Sequence, residues 1–112
     1  MKVPGNGVYH PAMKRKFDWD SNKEKLNIRN HGIDFRTAEE VFGDPFQVTI
    51  QDRFENGELR WQTVGCTKQG YLLLLVAHTL EDEEDGTEYI RIISARKAGP
   101  KAKKLYESGG GF

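Results

Sequence analysis

An α+β domain is expected, with N-terminal helices packed on a four-stranded antiparallel sheet and a further helix at the C-terminal end. Three observations predict it. Apolar residues recur at helical spacing only before residue 45 and again near the end of the chain. Between these stretches lie four β-rich runs separated by turn signals, among them Asn56-Gly57 and Asp85-Gly86. The 112 residues fit one domain, which at this size buries roughly two-thirds of its unfolded surface without needing disulfides or metal.

Residues 1–12 hold two prolines and two glycines with no periodicity, and are expected to form a flexible leader ahead of a single domain at 13–108. Residues 17–19 alternate like a short strand. Ser21 with Glu24 three residues on reads as a capping box that starts a helix with Leu26 and Ile28 on its apolar side, stopped at Gly32. Phe35, Ala38, Val41 and Phe42 mark a second helix over residues 35–42, ended by Gly43-Asp44-Pro45. Strands follow at 46–51, 58–66, 71–80 and 88–96, and short links between them make an antiparallel meander the economical topology. Residues 98–108 predict the last helix, with Pro100 in its first turn, and residues 109–112 a flexible tail. Period-2 counting puts Glu58, Arg60 and Gln62 on one side of their strand. It puts Arg91 with Tyr89 and Ile93, opposite Ile90, Ile92 and Ser94. Arg96 shares the Ile92 side unless a bulge intervenes.

Formal net charge is zero, from 17 basic and 17 acidic residues, so binding of nucleic acid by bulk charge is not expected. The distribution is informative. Residues 90–104 run from a strand carrying Arg91 and Arg96 into a segment with Lys97, Lys101, Lys103 and Lys104 and no acid. Guanidiniums on a strand are rigidly placed forks that suit phosphate oxygens, so an anionic partner is indicated, RNA foremost. Residues 14–16 are basic and residues 81–85 are an acidic knot, which read most plainly as solvated loop charge. The single cysteine, Cys66, excludes an internal disulfide. With no signal segment or long apolar run, a cytoplasmic location is expected and no membrane association. His10, His31, His78 and Cys66 lack metal-ligand spacing, and no phosphate-loop or dinucleotide glycine motif occurs, so no cofactor is expected.

Several blocks together resemble the BrnT toxins: Phe17-Asp18-Trp19-Asp20, Asn30-His31-Gly32-Ile33-Asp34-Phe35, residues 38–42 with Asp44-Pro45, Glu58-x-Arg60-Trp61, Val64-Gly65, and Ile90-Arg91-Ile92-Ile93-Ser94-Ala95-Arg96-Lys97. The similarity runs in order over nearly all of residues 14–107, and its last block is the most specific. It implies a RelE-like fold and a type II toxin–antitoxin ribonuclease that cleaves RNA and halts translation. It also implies a BrnA-type ribbon-helix-helix antitoxin, with DNA touched only indirectly, through the antitoxin complex that represses the operon. The leader and the weight of the acidic knot depart from the family pattern.

RNA cleavage through the 2′-hydroxyl needs a base, cations for the crowded phosphorane and an acid for the leaving oxygen. Arg60 and Arg91 are the first candidates for the cations and Arg96 the third. The plainer readings are surface pairs with Glu58 or Glu88, and for Arg96 a contact to helix carbonyls or Glu107. Glu58 shares the Arg60 side and is a candidate base, although orienting that arginine is the favoured role. His78 is the other acid–base candidate, against a packed, hydrogen-bonded histidine. Lys97, Lys101 and Lys104 are expected to bind RNA, and Tyr106 to stack on a base unless it packs the last helix. His31 complements a helix dipole, and Trp19, Trp61, Phe35 and Phe42 are expected in the core. A rival class is a non-catalytic module whose basic strand and helix hold an acidic antitoxin segment.

Overall fold

A computed structural model describes residues 14–110; the expected leader lies outside the described residues. The elements in order are β1 (Arg15–Trp19), α1 (Ser21–His31), α2 (Phe35–Glu39), a 3-10 turn (Glu40–Gly43), β2 (Val48–Glu55), β3 (Glu58–Cys66), β4 (Leu73–His78), β5 (Glu81–Asp82), β6 (Glu88–Lys97) and α3 (Pro100–Glu107).

The expected meander is present, since β2–β3, β3–β4 and β4–β6 all pair antiparallel. The expectation of a four-stranded, wholly antiparallel sheet is corrected. The sheet is six-stranded and mixed, ordered β1-β6-β4-β3-β2, with β5 pairing β6 beside this path. β1 lies parallel to β6, from Arg15 opposite Glu88 to Trp19 opposite Ile92. Alternation over three residues signals a strand but carries nothing about its partner, and here the whole meander separates β1 from β6 in the chain.

The sheet is covered on both sides. Ile33, Phe35, Ala38, Val41 and Phe42 from the N-terminal helical region bury against Leu74, Val76, Ile90, Ile92 and Ala95. Ala102 of α3, with Leu105 and Tyr106, packs on the opposite face over Val48, Val64, Leu73 and Leu75. The 3-10 turn sits close on β3 because residue 65 is glycine: a Cβ there would meet Val41 O at 3.0 Å and Val41 Cβ at 3.1 Å. Gly109 and Gly110 close α3 in a left-handed turn, their amides donating to Tyr106 O and Leu105 O. Residues 111–112 of the expected tail lie outside the described residues. Among the described residues, no helix is long and apolar enough to cross a membrane.

Two details of α1 differ from expectation. Its N-cap is Asp20, whose carboxylate accepts from the Asn22 amide, and not Ser21. Glu24 leaves the helix end and accepts instead from the Phe35 amide at 2.9 Å, tying α1 to α2. The inward side is also different, since Leu26 (54% exposed) and Ile28 (44%) face outward while Asn27 is buried. Asn27 clamps β6 by donating to Ala95 O (2.8 Å) and accepting from Ala95 N (3.0 Å), and it donates to Ile33 O as well. Residues two apart point to different sides of a helix, so Leu26 and Ile28 never defined one face.

Candidate active site

Trp61 and Ile92 both pair with His78, from opposite sides of β4. β3 and β6 each run antiparallel to β4, so they run parallel to one another. Arg60 and Arg91, one residue earlier on each, therefore stand at the same level, two strand spacings or roughly 10 Å apart at the backbone. Both point away from the N-terminal helices, on the face that α3 covers only at its other end.

Each guanidinium has an acidic neighbour on this open face. Arg91 Nη2 donates to both oxygens of Glu58, at 2.6 and 2.8 Å. Arg60 Nη1 lies 3.7 Å from Glu55 Oε1. That carboxylate is bound more closely by Arg53 Nε at 2.9 Å, and Arg53 is the main cause that holds its ionisation below the usual carboxylate range. The Arg60 side chain is 17% exposed, and its Nε is buried without a hydrogen-bond partner among the described residues. Buried donors normally find an acceptor, so this one stands out.

Two residues at the site were not singled out from the sequence. Asp18 of β1 is the register partner of Arg91, and it accepts a 2.7 Å hydrogen bond from the Tyr89 hydroxyl. That bond, the Trp19 amide and the Arg91 charge together keep the Asp18 carboxyl below its ordinary range. Tyr89 was findable, because it shares the Arg91 side by alternation. Asp18 was not, because its place depends on the parallel pairing of β1.

The remaining candidates divide. Arg96 joins the arginine face: a bulge takes the register from Ala77 opposite Ser94 to His78 opposite Ile92, and Arg96 then pairs with Leu75. The unbulged reading, with Arg96 on the Ile92 side, is corrected. Arg96, Lys97, Lys101 and Lys104 are all exposed. Tyr106 packs in the α3 cluster, and its hydroxyl donates to Asp44 Oδ2 at 2.7 Å. Its ionisation is pushed far up by the adjacent Cys66 side chain and by Asp44. Burial opposes ionisation of Asp44, yet bonds from the Cys66 and Phe46 amides and from Tyr106 outweigh it and hold the carboxyl low.

His78 does not join the arginines. It lies on the opposite face and is 1% exposed, with Nδ1 2.8 Å from Thr79 O and Nε2 2.8 Å from Thr63 Oγ1. Burial holds its pKa below the ordinary histidine value. Sequence alternation could not orient it, since β4 is apolar on both sides. Two surface hollows of about 730 and 660 Å³ lie elsewhere, and neither is lined by Arg60 or Arg91. The arginine face is an open strip, a shape that admits a polymer.

This strip of cations, carboxylates and one anchored phenol on a rigid sheet can grip a phosphodiester and move a proton beside it. A family model described as "Ribonuclease toxin, BrnT, of type II toxin-antitoxin system" matches residues 19–101, a span that contains Arg60, Arg91 and Arg96. No curated protein matches the chain.

Proposed function

The chain belongs to the BrnT family of ribonuclease toxins of type II toxin–antitoxin systems, and we propose that it is a metal-independent endoribonuclease whose scissile phosphate binds between Arg60 and Arg91. The RNA 2′-oxygen attacks phosphorus, the bond to the 5′-oxygen breaks, the departing 5′-oxygen takes a proton from solvent on the open face, and the products are a 2′,3′-cyclic phosphate and a 5′-hydroxyl. Arg91 and Arg60 stabilise the charge that gathers on the phosphorane, because they are fixed on strands before the reaction begins. Glu58 orients Arg91 in the free protein and is the carboxylate placed to take the 2′-hydroxyl proton. Arg96, Lys101 and Lys104 carry the flanking backbone, while Lys97, opposite Leu74, falls on the side of the N-terminal helices. The observation that carries this reading is the shared level of the two arginines on one open face, with the Arg60 Nε donor left over.

Expression of the chain alone is expected to arrest growth, and Arg60→Ala or Arg91→Ala to relieve it. With purified protein and excess EDTA, each variant should cleave roughly 10²–10³ times more slowly than the parent, as for the loss of one preorganised donor. Full parental activity in both variants would remove the site assignment, and cleavage abolished by EDTA would remove metal independence.

A second reading draws on the bidentate Glu58–Arg91 contact. A surface already adapted to carboxylates could hold an acidic antitoxin segment without catalysis, the antitoxin being of the BrnA ribbon-helix-helix type and linking the toxin to operator DNA. Tight antitoxin binding together with intact RNA would favour it.

A further inference from the structure

Residues that exchange both backbone bonds across an antiparallel ladder each use their own amide and carbonyl. Thr79 and Arg91 keep only half of that pattern. The Thr79 amide donates to Arg91 O at 3.0 Å. The Arg91 amide donates to the Thr79 hydroxyl Oγ1 at 3.3 Å, not to its carbonyl. The Thr79 carbonyl is engaged by His78 Nδ1 at 2.8 Å. A carbonyl only accepts, so Nδ1 carries the proton and Nε2 is the bare nitrogen. Thr63 Oγ1, 2.8 Å from Nε2, must then donate to it, and Thr49 Oγ1 at 2.7 Å supplies the hydrogen bond that Thr63 accepts. Thr63 is fully buried, and the Phe42 ring meets the imidazole edge-on at a 5.0 Å centroid distance. Tautomer and ring orientation are thus fixed from three sides.

We infer that His78 and Thr79 are positioning residues for Arg91: the imidazole draws the Thr79 carbonyl toward the helix face, the threonine hydroxyl replaces it as acceptor, and the Arg91 backbone is set out of regular register. The β6 bulge begins one residue further on, after the His78–Ile92 pair. Two departures from regular pairing therefore bracket the segment that aims the guanidinium. The inference rests on the reading of Arg91 as a phosphate ligand. A regular Thr79–Arg91 pair would carry the Arg91 Cα toward the ladder and move the guanidinium relative to Arg60. Displacements near 1 Å at a reacting centre cost on the order of 10²-fold in rate.

The test uses the full chain and a short single-stranded RNA, with a 2′-deoxy version for binding. Thr79→Val keeps the side-chain shape and removes only the hydroxyl acceptor. His78→Asn keeps an N–H donor where Nδ1 sits, and His78→Leu removes it. Thr79→Val and His78→Leu are expected to lower kcat by about tenfold or more and to shift the Arg91 Nε–Hε resonance. His78→Asn should stay within about threefold of the parent, a fraction of that loss. Should His78→Leu not fold, Thr79→Val decides alone. Parental kcat in Thr79→Val, or a loss of kcat with the Arg91 resonance unmoved, would overturn the inference. In that case Arg91→Ala, still impaired, would leave the proposed function standing. Arg91→Ala cleaving like the parent would overturn both.

Discussion

Glu58 stands against Arg91 much as a phosphate would, two oxygens facing one guanidinium, and in the proposed site RNA would compete with it. Both side chains are more than a third exposed, so the contact contributes no more than about 1 kcal/mol. Glu58→Gln is therefore expected to bind an uncleavable RNA up to about fivefold more tightly, the equivalent of that 1 kcal/mol, while its kcat falls. Unchanged affinity in a filter-binding titration would contradict this competition. His78 makes a different prediction. Its folded-state pKa lies below the ordinary value of 6.5. Between those two values the unfolded chain holds a proton that the folded chain does not, so stability rises with pH there and is lost as pH falls. The urea midpoint should drop from pH 7.5 to 5.5 in the parent, and the slope should be shallower in His78→Asn. Equal slopes would mean that His78 does not titrate on unfolding. At this scale the sequence was legible wherever alternation was unbroken. It put Arg60 with Glu58 and Gln62, and Arg91 with Tyr89, on one side of their strands; their shared level appeared only with the register. It left open Arg96, which an extra residue in β6 turns over, and His78, whose strand is apolar on both sides.

Helix ends separate what local sequence can and cannot announce. Ser21 with Glu24 fits a capping box, but Asp20 makes the same bond one residue earlier, and Glu24 is worth more to the fold as the acceptor of the Phe35 amide. Asp20→Ala should cost about 1 kcal/mol by chemical denaturation, and Ser21→Ala only a few tenths. The reverse order would restore Ser21 as the cap. The inward side of α1 was hidden for a related reason. A buried asparagine carries no hydrophobic signal, and its value appears only when Ala95 is 68 residues away in sequence and in contact in space. Asn27→Ala leaves the Ala95 amide and carbonyl and the Ile33 carbonyl short of partners, for a loss of roughly 2–3 kcal/mol. The meander was readable from turn chemistry alone, because β2, β3, β4 and β6 pair in chain order, with only the two-residue β5 between the last two. β1 was not, because its pairing with β6 is a long-range event that no local rule encodes.

At the scale of the whole molecule, zero net charge conceals a gradient along β6. The strand begins beside the acidic hairpin of Glu81, Asp82, Glu83, Glu84 and Asp85, passes Arg91, and ends at Arg96 and Lys97 before the lysines of α3. From Arg91 to Lys97 the strand advances roughly 20 Å, about two and a half times the Debye length at 0.15 M salt. On the proposed reading, RNA meets its stronger attraction at the α3 end, since at the other end the five acids of the hairpin outnumber Lys14 and Lys16 beside them, so the strip has a direction. On the proposed reading, a substrate would enter over α3, reach Arg91 and Arg60, and stop short of the hairpin. Salt dependence should follow this local patch and not the whole-chain charge. With a handful of phosphates engaged, log affinity for single-stranded RNA should fall with log salt at about −0.7 per phosphate contact. Lys101→Gln with Lys104→Gln should flatten that slope and weaken binding at 0.1 M salt. Glu83→Gln with Glu84→Gln should leave the slope nearly unchanged and strengthen binding several-fold by removing repulsion. If the hairpin variant flattened the slope, or the lysine pair did not, RNA would cross the sheet in another direction and the flanking contacts assigned to α3 would belong elsewhere.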